Sequence, residues 1–168
     1  MNTASSQTYV MAEEFDKVLK LVRRALAERD LSITDELDTT ESPHRDSGKK
    51  PKPSRLLLVD SPLLTFEAMA LDRAAGALIP MHVLISSDGD QTHIIFVEPA
   101  TLFARRLPVG AAGPLEQLKA RIRGALESAV AQSEARHRQL SKPHEFKICR
   151  KLRFLGCALF HGAAGWHS

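Results

Sequence analysis

Aromatic residues make up only 5% of this 168-residue chain, with one tryptophan and one tyrosine, and there are two cysteines. Two cysteines cannot build the cross-linked framework of a small secreted scaffold, and they fit a reducing compartment. Long apolar runs are also missing. The longest lies near Phe154 to Phe160, far below the roughly 20 residues that a membrane-spanning helix needs. The N-terminal MNTASSQTYVMAEEF lacks both the basic n-region and the apolar run of a secretory signal, so a cytoplasmic location with no membrane span is expected. The nine glycines are scattered, none forming a phosphate-cradling or dinucleotide-binding loop, and no serine sits in a nucleophile-elbow sequence. No cofactor is therefore expected, and a non-enzymatic role is favoured.

What is present suits one ordinary globular domain: 43% hydrophobic and 26% charged residues. At this length a chain buries roughly two-thirds of its unfolded surface without needing a disulfide or a structural metal. The net charge of +3 invites a nucleic-acid reading, but its location argues otherwise. Residues 134–168 carry seven bases against two acids, while residues 1–133 are slightly acidic at −2. The same tail holds both cysteines, the tryptophan and four of the seven histidines, including His137. A single α+β domain is expected over 1–133 and a poorly ordered basic extension over 134–168.

Periodicity gives the order of elements. Gln7–Val10 reads as a short edge strand, and Phe15, Val18, Leu19, Val22 and Leu26 mark an amphipathic helix within 12–28. Leu31–Leu37 is a weakly alternating strand, and 39–53, with three prolines, is a flexible loop. Arg55–Val59 is a strand stopped by Asp60, Ser61 and Pro62. A helix follows, in which Phe66, Met69, Ala70 and Ala74 share one face until Gly76. Met81–Ser87 and Gln91–Glu98 flank Asp88-Gly89, a turn dipeptide that makes them a hairpin. A short turn or helix over Ala100–Arg106 comes next, then a long helix from Leu115 to about Gln132. The order β-α-β-β-α-β-β-α predicts an antiparallel or mixed sheet with helices on one face.

With Asp88 and Gly89 as the central turn residues, Leu84 pairs with His93 and His82 with Ile95. One face then carries Met81, Val83, Ile85, Ile94 and Phe96, a natural core surface. The other carries His82, Leu84, His93, Ile95 and Val97, too apolar for a freely solvated face. A partner copy is the first explanation, a small apolar ligand the second and the C-terminal tail the third, which makes His82, Leu84, His93 and Ile95 the ligand or interface candidates. In that register His82 and His93 are diagonal neighbours, so metal or acid-base chemistry through the two is an alternative, though two imidazoles make an incomplete site. The spacing of His144, Cys149, Cys157 and His161 matches zinc fingers only weakly. A further alternative is binding of nucleic acid or an anionic surface through Arg136, Arg138, Lys142, Lys147, Arg150, Lys151 and Arg153.

The segment SRLLLVDSP at 54–62, Met69 seven residues beyond Pro62, and AGALIPMHVLISSDGDQTHIIFVEP at 75–99 together resemble the bacterial family called domain of unknown function 302. With the flanking helices the similarity spans about residues 7–133. The resemblance implies an α+β domain of TATA-box-binding-protein-like topology, commonly dimeric, with no established activity. Several members have cysteines where this chain has Asp60 and Met81, so no thiol role carries over. Leu64-Thr65 replaces a Gly-Thr pair common in other members.

Overall fold

The computed structural model describes residues 6–40, 52–97 and 111–140. The tail from 141 onward, most of the predicted 39–53 loop and the element expected at Ala100–Arg106 lie outside the described residues.

The elements follow in the expected order: β1 (Ser6–Met11), α1 (Phe15–Ala27), β2 (Ser32–Asp38), β3 (Ser54–Asp60), α2 (Pro62–Leu71), a 3-10 helix (Arg73–Leu78), β4 (Met81–Asp88), β5 (Gln91–Val97) and α3 (Ala112–Leu140). The five strands form one sheet in the order β1-β5-β4-β3-β2, and every neighbouring pair is antiparallel. The sheet is thus wholly antiparallel, one of the two expected arrangements.

All three helices feed one buried cluster. Val18, Val22 and Leu26 of α1, Leu64 and Ala68 of α2, and Leu118, Ile122 and Leu126 of α3 close over Leu57, Val59, Met81, Val83, Ile85, Ile94 and Phe96 of the sheet. The helices therefore occupy one face, and the predicted core surface of the hairpin is the core. The chain leaves α1 through Asp30, whose φ of 55° lets the Leu31 amide turn back onto the Leu26 carbonyl. The reversal delivers β2 to the edge of the sheet opposite β1.

Three local readings are corrected. First, α2 stops at Leu71 because Asp72 is extended, its side chain accepting a hydrogen bond from the Ala74 amide at 2.8 Å to start the 3-10 helix. The buried face of α2 is Leu64 and Ala68, whereas Phe66 is 72% exposed. A helix apolar all the way round has no unique stripe, so its periodicity could not select the inward side. Gly76 fits there because a Cβ would lie 3.3 Å from Met69 Cε.

Second, the β4–β5 ladder closes at Asp88 opposite Gln91, so Gly89 and Asp90, not Asp88 and Gly89, are the central turn residues. Gly89 has φ +69°, and positive φ at the first central position is what glycine supplies without a Cβ penalty. Leu84 consequently pairs with Ile95 and His82 with Val97. Because the slip is two residues, every side chain keeps its predicted face.

Third, α3 continues past Gln132 to Leu140, so it crosses the expected boundary at 133/134. Ser133 is buried, and residues 134–139 are exposed.

Candidate site on the open sheet face

The face away from the helices is built by alternation. Residues at even positions of β4, β3 and β1, and at odd positions of β5, point away from the core, and the register aligns them across strands. The central row runs Thr8, Ile95, Leu84, Leu56, Leu37 from one edge to the other. On one side of it lies the row Val97, His82, Leu58, Asp35, and on the other Val10, His93, Ser86, Ser54. None of the apolar members joins the buried cluster: Leu56, Leu58, Leu84, Ile95 and Val97 are half-buried, Val10 is 51% exposed and Leu37 44%. The result is a band with a central row of branched aliphatic side chains flanked by two rows of mixed character.

Leu84 and Ile95 are direct cross-strand partners at the centre of this band. His82 and His93 belong to it as well, but the register does not bring them together. They lie in different rows, with the Leu84–Ile95 row between them, and are offset by four residues along the strands, about 13 Å. That separation removes the diagonal contact on which a shared metal depended, and among the described residues no group of three or more potential metal ligands is found. His144, Cys149, Cys157 and His161 lie outside the described residues, as do all the basic candidates of the tail except Arg136 and Arg138 of α3.

Polar residues rim the band. Lys52 pairs with Asp88 at the hairpin end, and its hydrogen bond and charge, with His93 adding to them, hold the Asp88 carboxyl below its ordinary range. At the β2 edge the charged pairs lie on the helix side of the sheet instead: Arg23 holds both carboxylate oxygens of Glu36 at 2.8 and 2.6 Å, and Arg55 pairs with Asp38. The Thr40 hydroxyl and amide, with Arg55, lower the Asp38 carboxyl.

Sequence reasoning missed a cleft on the other side of β1. A cavity of about 370 Å³ lies between β1 and the end of α3, walled by Val10, Met11, Val130, Ser133 and His137. Two of the lining residues reach Glu13, with His137 Nε2 at 3.1 Å and Ser133 Oγ at 3.5 Å from its Oε1. Glu13 directly precedes Glu14, the N-cap of α1, where an acid is ordinary. Its partners are 120 and more residues away in the chain, so no local pattern could have revealed them.

The family model described as "Domain of unknown function DUF302" matches residues 7–129, from β1 into α3. The chain belongs to the DUF302 family. A similar fold occurs in the crystal structure of an uncharacterized conserved DUF302 protein from Bacillus stearothermophilus, with a TM-score of 0.63 at 13% identity. The superposition covers 74% of this chain and 97% of that one. No curated protein matches the chain. Among the described residues, no helix of this DUF302 protein is long and apolar enough to cross a membrane.

Proposed function

We propose that this DUF302 protein is a non-enzymatic, homodimeric binding module that holds a small apolar ligand on the open face of its sheet. The observation that supports this most is the unbroken row Ile95, Leu84, Leu56, Leu37, which crosses four adjacent strands on the face away from all three helices. Contiguous apolar surface of this kind marks interaction sites. The rows beside it add Val97 and Leu58 on one side and Val10 on the other, which widen the aliphatic surface. His82 and His93 supply separate polar contacts at opposite ends of the band, where they can orient a ligand without sharing its chemistry.

The test is titration of the purified full chain with a fluorescent apolar probe such as anilinonaphthalene sulfonate, with native mass spectrometry of the same sample. Saturable binding that Leu84→Asp abolishes and Phe66→Ser leaves intact is the expected result. Phe66 is the control because it is the most exposed apolar side chain on α2. Binding that survives Leu84→Asp would overturn the assignment of the site, and a monomer at every concentration would overturn the homodimer.

A further inference from the structure

We infer that two copies of this chain join edge to edge through β1, each β1 antiparallel to the other, so that two five-stranded sheets continue as one sheet of ten strands. This rests on the homodimer reading above and assigns the contact to the sheet edge, leaving the open face free for ligand.

The two edges of the sheet are built differently. An edge strand exposes a row of backbone donors and acceptors that templates pairing with another chain, and proteins block it with charge, proline or a bulge. The β2 edge carries such blocks: Asp35, Glu36 and Asp38 in seven residues, and a register irregularity between Ile33 and Asp35. The β1 edge has none. Its sequence, SQTYVM, contains no charge and no proline, and its register with β5 is unbroken from Ser6 opposite Val97 to Met11 opposite Thr92. Ser6, Thr8 and Val10 are exposed.

The flank of β1 is self-complementary in charge. α3 runs beside β1 in the same direction: Arg123 Nε donates to Gln7 Oε1 at 2.9 Å near one end, and Val130 and Ser133 share a cavity wall with Met11 near the other. Between these ends Tyr9 feels both Glu127 and Arg123. Antiparallel pairing of two β1 strands by a two-fold axis perpendicular to the sheet sets like faces opposite one another, so both helix layers stay on one side. An axis near Thr8, level with the midpoint between Arg123 and Glu127, then turns Arg123 of each α3 toward Glu127 of the other copy. Such opposite-charge pairing fixes register and favours the matching copy over other partners.

The decisive experiment measures dimer dissociation of the full chain by native mass spectrometry and sedimentation, with thermal unfolding as the control for folding. The double variant Thr8→Lys/Val10→Lys places like charges across the axis whether Thr8 meets Thr8 or Val10 of the other copy. It is expected to weaken the dimer at least about 100-fold while the chain still unfolds in one cooperative transition. Glu127→Arg should weaken it too, and Arg123→Glu/Glu127→Arg should restore it. A dimer that resists Thr8→Lys/Val10→Lys but dissociates with Leu84→Asp would overturn edge pairing while sparing the homodimer. A wild-type chain that never dimerises would overturn both.

Discussion

Leu84 stands directly opposite Ile95 in the β4–β5 ladder, with Leu56 opposite Leu84 on its other side. These three residues fix the composition of the open face, because each neighbouring row inherits its register from theirs. They also separate the two histidines that sequence reasoning had placed as diagonal neighbours.

That separation predicts how the protein responds to metal. Zinc titrated into wild type, His82→Ala and His93→Ala should shift the melting temperature equally in all three. Loss of a zinc-induced shift in either variant would show that the imidazole is a ligand.

The turn register is testable at one backbone position. Gly89 has φ +69° with no atom within 4 Å of where a Cβ would stand, so the cost of a side chain there is conformational. Gly89→Ala should lower stability by about 1 kcal/mol in urea unfolding. Asp90→Ala should cost less than about half that. The opposite ranking would mean that Asp90, not Gly89, holds the strained turn position.

Two phenylalanines distinguish core from surface. Phe96 is fully buried, and Phe96→Ala should cost roughly 3–5 kcal/mol. Phe66 is 72% exposed, and Phe66→Ala should stay within about 0.5 kcal/mol of wild type. Equal losses in equilibrium unfolding would place Phe66 inside.

Ionisation gives both acid and alkaline limbs. Asp38, hydrogen-bonded by Thr40 and paired with Arg55, and Asp88, hydrogen-bonded by Lys52, have carboxyls lowered from 3.8. The folded chain keeps them ionised to lower pH than the unfolded chain does. Their contribution is therefore present above about pH 4 and lost as pH falls through the folded values. Burial, with Glu127 adding to it and Arg123 opposing, raises the Tyr9 hydroxyl above 10.0. Its contribution is complete below pH 10 and lost as pH rises through the folded value. Melting temperatures across pH should show Asp38→Asn/Asp88→Asn flattening the acid limb and Tyr9→Phe the alkaline one; unchanged limbs would refute these roles.

Much of the fold was legible because its signals are local. The α1 stripe, the alternation in β4 and β5, and Pro62 at the first turn of α2 each depend on residues a few positions apart. The candidate face was legible for the same reason, since period-two alternation assigns a face whichever even slip the register takes. What escaped was set by choices among equivalent local patterns. Asp-Gly and Gly-Asp both look like turns, and α2 is apolar in every direction. The Glu13, Ser133 and His137 cluster escaped because it joins the start of the chain to the end of α3.

The length of α3 has a consequence for handling the protein. At 29 residues it is about 44 Å long, nearly twice the roughly 24 Å width of five strands. Residues 134–139 carry no buried side chain, so helix propensity and pairs such as Glu13 with His137 hold them. Amide hydrogens there should exchange in a gradient that steepens toward Leu140, and limited digestion should trim the overhang while the sheet and its three helices keep their cooperative unfolding.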